Sequence, residues 1–224
     1  MSQRTAVTAA SAAALYIAMW IGWLQGWRWL AAVDNWFLNG LYPIGAAHPN
    51  WVTCWNVFCT VVGPTAFRVL GVVVIIWLLA RRYLRVALFL VLSVELAGLV
   101  AETAKHLANR PRPATAMVDA LGTSFPSGHA VGVTAAVLAL LTVAFAFVGP
   151  RWRVPLAVLG AVVIVAIGVG RVVLNVHHPS DVLAGWALGY LWYLACLLLV
   201  RPFPLVRVGV SAAAGTPVVP GSGS

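Results

Sequence analysis

The sequence predicts an all-α integral membrane protein of six transmembrane helices, with an interfacial helical segment between the first two. Three observations carry that prediction. Apolar residues make up 62% of the 224 residues and charged residues only 8%, against about half and about 25% in a soluble domain. The apolar residues fall in runs of roughly 20, the length a helix needs to cross the hydrocarbon core. Basic residues stand mostly in small groups at the ends of those runs, as anchors at a membrane surface do.

The first span is expected from Ala6 to about Leu24. Arg4 before an apolar stretch resembles the start of a signal peptide. No cleavage site precedes Trp20 and the run continues to Leu24, so it reads as an uncleaved helix. From Gly26 to Thr60 the chain is too polar to span and too aromatic for a plain loop. Seven of the eleven tryptophans lie between Trp20 and Trp55, an aromatic belt or an interfacial helix bordering lipid entry. Trp20, Trp23 and Trp27 are expected on one helical face. The second span covers roughly Val61 to Ala80, with Pro64 and Arg68 in its weaker first half. The others are expected at Val86 to Ala104, Ala130 to Val148, Val154 to Val172 and Val182 to Val200. Residues 1–201 thus form one membrane domain. Residues 202–224, rich in Pro, Gly, Ser, Ala and Val without a period, are expected to be a disordered tail.

Six spans put both termini on one side. With the N-terminus inside, Arg4, Arg81, Arg82, Arg85, Arg151, Arg153, Arg201 and Arg207 are cytoplasmic, and Arg28, Arg68, Lys105, Arg110, Arg112 and Arg171 lie opposite. Lys105, Arg112 and Arg171 have a chemical reason to be there, and setting them aside leaves eight against three. The same distribution argues against nucleic acid as the partner of this basic chain, although 14 Lys and Arg face 5 Asp and Glu. Arg outnumbers Lys thirteen to one, which with abundant Ala, Val and Gly points to a GC-rich bacterial genome and hence to a bacterial inner membrane. Three cysteines are too few for a disulfide framework, and Cys54 and Cys59 read as unpaired thiols. The sequence assigns no oligomeric state.

Charged and polar residues are costly near a bilayer and tend to be functional there. They gather in three clusters: Lys105 to Pro113, Pro126-Ser127-Gly128-His129, and Arg171 to Asp181 with His177 between. No apolar run long enough to cross separates the first two. The 41 residues between His129 and Arg171 accommodate one helix down, a basic turn and one helix back. All three clusters therefore share one face, the extracytoplasmic one by the charge count. Lys105, Arg112 and Arg171 are donors with no acceptor capacity, and converging cations require an anion. Ser127 and Gly128 open a helix after a proline, where free N–H groups and the helix dipole cradle phosphate. His177 and Asp181 are four apart, so a carboxylate can fix one ring nitrogen and leave the other to attack. His129 would then protonate the leaving oxygen. No carboxylates at metal-binding spacing accompany the histidines, so no metal or other cofactor is expected.

These residues resemble the three signatures of the type 2 phosphatidic-acid phosphatase superfamily. They are a Lys, six residues and Arg-Pro at Lys105 to Pro113; Pro-Ser-Gly-His at Pro126 to His129; and Arg, five residues, His, three residues, Asp at Arg171, His177 and Asp181. Gly170 stands where the family usually has Ser. The resemblance runs from about Val86 to Val200. It implies a six-helix membrane fold, a phosphohistidine on His177, His129 as acid, Asp181 orienting His177, and phosphate binding by Lys105, Arg112, Ser127, Gly128 and Arg171. It implies a membrane lipid phosphate as substrate: phosphatidate, phosphatidylglycerophosphate or a polyprenyl diphosphate. Soluble haloperoxidases that share the site hold vanadate there. The rival class is a non-enzymatic lipid transporter, which predicts no phosphate release. Among substrates a polyprenyl diphosphate is favoured, because the connection between spans three and four is short, the tryptophan-rich segment offers an apolar border, and Arg110 and Arg68 are extra cations for a second phosphate. Glu102 is expected to pair with Lys105 three residues on. Glu95, deep in the third span, has no assigned partner, and His178 is expected to be a bystander.

Overall fold

The computed structural model describes residues 3–203, so nearly all of the tail lies outside the described residues. Within them the chain forms α1 (Gln3–Leu24), α2 (Arg28–Ala47), α3 (Pro49–Val61), α4 (Pro64–Ala80), α5 (Leu84–Leu90), a π-helical stretch (Val91–Glu95), α6 (Ala97–Ala108), α7 (Gly128–Phe147), α8 (Pro150–Val173) and α9 (Pro179–Val200). Proline stands at the first turn of α3, α4, α8 and α9, where its missing N–H and fixed φ cost nothing. Six helical segments are long and apolar enough to cross a membrane: Gln3–Leu24, Pro49–Ala80, Leu84–Ala108, Gly128–Phe147, Pro150–Val173 and Pro179–Val200. The chain is a multi-pass all-α membrane protein.

One boundary differs in substance from the sequence-based expectation. The second span begins at Pro49, and α3 continues into α4 across Val62 and Gly63. Polar residues had disguised α3. Thr53 donates its hydroxyl to the Pro49 carbonyl at 3.1 Å and Thr60 to the Asn56 carbonyl at 2.8 Å, so the helix itself satisfies these hydroxyls. The segment between the first two spans is therefore α2 alone. Leu30, Asp34, Leu38 and Gly45 on one side of it are buried, while Trp29, Trp36 and Phe37 are exposed, an amphipathic division suited to an interface. Trp27 does not continue the Trp20–Trp23 face; it caps the start of α2.

The bundle is organised around α7 and α9. A Cβ on Gly185 would meet the Ala130 Cβ at 2.6 Å and the Ser127 carbonyl at 2.8 Å, and one on Gly189 would meet the Val131 carbonyl at 2.6 Å. These two glycines let the helices touch backbone to backbone, which draws the first turns of both together. In the third span the π stretch leaves the Leu92 carbonyl to accept from the Trp192 indole at 3.0 Å, the kind of local adjustment that makes room for a partner helix. Glu95 ends this stretch and meets Arg68 at 3.4 Å, which supplies the partner the sequence left open.

Candidate active site

All eight residues singled out by the sequence converge where α6 and α8 end and α7 and α9 begin. The Ser127 N–H donates to the Asp181 carbonyl at 3.0 Å. The Lys105 Nζ lies 3.4 Å from where a Cβ on Gly128 would stand, so the lysine reaches the first turn of α7. Arg112 Nη1 is 3.3 Å from His177 Nε2. The cations whose charge acts on the His129 ring are Arg171, Lys105 and Arg112. Pro179 starts α9 immediately after the two histidines, and Asp181 in its first turn accepts from the His178 N–H at 2.8 Å, a carboxylate well placed at a helix N-terminus.

The Asp181 carboxylate is shared. Its Oδ2 is 3.7 Å from His177 Nδ1 and 3.1 Å from His178 Nδ1. At 3.7 Å the contact with His177 is one of charge rather than a hydrogen bond, and Nδ1 of this buried ring has no other partner among the described residues. His178 is thus closer to the carboxylate than expected of a bystander. The rings differ in setting: the His177 side chain is 2% exposed and that of His178 15%, and His177 directs Nε2 at Arg112. Burial holds the His177 imidazole down to about 4, Arg171 and Arg112 push the same way, and Asp181 opposes them. The free site therefore keeps this ring neutral, the form that carries a nucleophilic lone pair.

The cations differ in how available they are. Lys105 pairs with Glu102 at 2.7 Å as expected, but Glu102 is 58% exposed. Such a pair is worth about 0–1 kcal/mol, so an arriving anion can take Lys105 at little cost. Arg112 gives three of its donors to the carbonyls of Gly122, Val176 and Leu121 at 3.1, 2.9 and 2.7 Å, which fix the direction of its fork. Arg171 is 6% exposed, and its Nε has no hydrogen-bond partner among the described residues; nor has the hydroxyl of the buried Ser127. Buried donors left open in this way are unusual in a folded protein, and both belong to the predicted phosphate-binding set.

Arg110 is not free for a second phosphate. Arg110 is 5% exposed and gives Nη2 to Asp34 at 2.8 Å and Nη1 to Asp181 at 2.7 Å and to Ser180 at 2.7 Å. Its guanidinium lies 5.0 Å from the centroid of the Trp23 ring. Breaking a buried pair costs about 3–5 kcal/mol, far more than freeing Lys105, so Arg110 stays with its carboxylates. Arg68 meets Glu95 at 3.4 Å, but its side chain is 54% exposed, so this pair, like that of Lys105, is weak. Asp34, which sequence reasoning passed over, also accepts from the Ser180 N–H at 3.0 Å and its hydroxyl at 2.6 Å. A signal was present: it is the first acidic residue of the chain and the only one before Glu95, set in an apolar helix. His106 is exposed at the end of α6. The three cysteines are free.

Gly170 also has a physical reason. A Cβ there would stand 2.6 Å from Cys59 Sγ and 2.9 Å from the Trp55 ring. Residues of α3 fill the space that a serine side chain would need, and in doing so they press against the turn that carries Arg171.

Known proteins resemble this chain in sequence and in fold. The undecaprenyl-diphosphatase of Sulfolobus acidocaldarius is 35% identical over 120 residues, 50% of this chain and 54% of that one. The lipid A 1-phosphatase of Rhizobium johnstonii is 33% identical over 112 residues, 45% of this chain and 42% of that one. The chain thus matches about half the length of these curated relatives. In fold it is similar to the transmembrane PAP2 type phosphatidylglycerolphosphate phosphatase from Bacillus subtilis, with a TM-score of 0.74 and 19% identity over 89% of this chain and 99% of that one. The family model for the PAP2 superfamily matches residues 86–204, a stretch that contains all three polar clusters, and the chain belongs to the PAP2 superfamily.

Proposed function

We propose that this protein hydrolyses a membrane lipid phosphate or diphosphate at the extracytoplasmic face of a bacterial inner membrane, through a phosphohistidine and without a metal. The observation that carries the proposal is the His177 ring, buried and neutral, with Asp181 behind Nδ1 and a cation beside Nε2. In the first step Nε2 attacks phosphorus, the bond from phosphorus to the lipid oxygen breaks, and His129 gives that oxygen a proton. In the second, water attacks the phosphohistidine, its proton goes to His129, and inorganic phosphate leaves with His177 regenerated. Lys105, Arg112, Arg171, the Ser127 hydroxyl and the backbone at Gly128 would hold the phosphoryl oxygens as charge moves between them. A transporter would need none of these roles.

For the lipid we favour a polyprenyl diphosphate. Arg110 drops out of the charge argument, since it is buried between two carboxylates. Support comes from the similarity to an undecaprenyl-diphosphatase and from an apolar groove of about 410 Å³ lined by Phe37, Leu41, Val172, Pro179, Val182 and Trp186. That groove offers an isoprenoid chain a place beside the site. The test is phosphate release in detergent, with EDTA present, from a polyprenyl diphosphate, phosphatidylglycerophosphate and phosphatidate. The expected result is release from all three with the highest kcat/KM on the diphosphate. A preference for phosphatidylglycerophosphate overturns the substrate, and activity lost in EDTA and restored by Mg²⁺ overturns the metal-free mechanism.

A further inference from the structure

We infer that Asp34, on the amphipathic helix α2, is a positioning residue for the nucleophile. It would act by neutralising Arg110 so that Asp181 keeps its negative charge for His177. The inference rests on the phosphohistidine mechanism proposed above and extends it to a residue outside the three sequence clusters.

The argument starts from charge. Arg110 lies between two carboxylates, Asp34 at 2.8 Å and Asp181 at 2.7 Å, with all three side chains buried. Two carboxylates against one guanidinium leave one net negative charge. With Asp34 uncharged, the same guanidinium would cancel Asp181, and the His177 ring would face a neutral pair instead of an anion. Its attack on phosphorus develops positive charge on the imidazole, which that anion stabilises. Low dielectric magnifies the difference, because charges in the interior are screened far less than at a surface.

Geometry points the same way. Asp34 accepts from both the backbone N–H and the hydroxyl of Ser180, at 3.0 and 2.6 Å, and Ser180 immediately precedes Asp181. The first turn of α9 is therefore held from outside the bundle by α2, while Arg110 grips Asp181 Oδ1 and leaves Oδ2 for the histidines. The carboxylate that orients the nucleophile is itself oriented, as outer partners of reactive groups commonly are. Asn at position 34 would retain an acceptor for Ser180 while removing the charge, so the two contributions can be separated.

The experiment compares the full-length wild type with Asp34→Asn, Asp34→Glu, Arg110→Gln, Asp34→Asn with Arg110→Gln, and His177→Ala, each purified in detergent with its Tm recorded. Asp34→Asn is expected to lower kcat by about 10–100-fold with little change in KM, and equally for activated and poor leaving groups, because the lesion lies on the nucleophile. Asp34→Glu should recover part of the rate. Adding Arg110→Gln to Asp34→Asn should raise kcat above that of Asp34→Asn alone, since Asp181 regains its charge; such non-additivity is the signature of a shared network. Nitrogen chemical shifts of labelled His177 supply a readout that needs no turnover. The Nδ1–H tautomer should dominate in the wild type and the double variant and lose ground in Asp34→Asn. Phosphate release from the wild type that survives His177→Ala would overturn the mechanism, and the tautomer comparison would still judge Asp34. A folded Asp34→Asn protein with wild-type kcat and tautomer overturns the inference, as does a double variant no better than the single one in both measurements.

Discussion

The protonation state of His177 links burial to chemistry. Asp181 favours the imidazolium, while burial, Arg171 and Arg112 oppose it and prevail, holding the ring down to about 4. Because kcat/KM reports the free enzyme, its acid limb should lie near pH 4 rather than near the usual imidazole value of about 6.5. The sign is fixed by the role: a nucleophile must be neutral, so the rate holds as pH falls through 6 and drops about tenfold per unit below the limb. A limb near 6.5 in a pH profile of the folded enzyme would show that His177 is not the group being titrated. Much at this scale was legible in advance, because polar residues beside long apolar runs stand out. Lys105, Arg112, Ser127, Gly128, His129, Arg171, His177 and Asp181 all lie together. Arg110 was legible only as a charge. Its carboxylate partner Asp34 is 76 residues away, and no local spacing connects them. The 3.7 Å separation of His177 from Asp181 was equally hidden, since it follows from His178 taking the nearer place.

Helix ends make the site, so helix packing controls it. Gly185 and Gly189 set how closely α9 approaches α7, and that approach brings the Ser127 N–H to the Asp181 carbonyl. Gly185→Val would drive a side chain into Ala130 and the Ser127 carbonyl. Overpacking of this kind costs about 1–3 kcal/mol, and here it separates the Ser127–Gly128 turn from Asp181. The variant should lose both Tm and kcat, whereas Gly98→Ala, on the open side of α6 with nothing within 4 Å, should change neither appreciably. Wild-type kcat in a folded Gly185→Val protein would count against this dependence. Five of the six spans were legible to within a few residues because hydropathy alone marks them. The start of the second was not, since Thr53, Asn56 and Thr60 make that stretch too polar to read as a span until the hydroxyl bonds of Thr53 and Thr60 along α3 are seen. Nor could a sequence pattern reveal that α3 fills the space beside Gly170.

At the scale of the whole molecule, every catalytic candidate lies at one end of the bundle, and Arg4, Arg81, Arg82, Arg85, Arg151, Arg153 and Arg201 mark the other. A cysteine replacing Leu121, which is 94% exposed in the loop before α7, should react with an impermeant thiol reagent in intact cells, and one replacing Arg151 should not. Cys54, Cys59 and Cys196 would be replaced beforehand. The reverse labelling pattern would put the chemistry in the cytoplasm. The central claim, that phosphate passes through His177, is tested most directly by trapping the intermediate. Wild-type protein mixed with radiolabelled lipid phosphate in EDTA and quenched in alkali should carry one alkali-stable, acid-labile phosphate at His177, and His177→Ala should carry none. Label that persists in His177→Ala, or a wild type that turns over rapidly without ever carrying label, would contradict it.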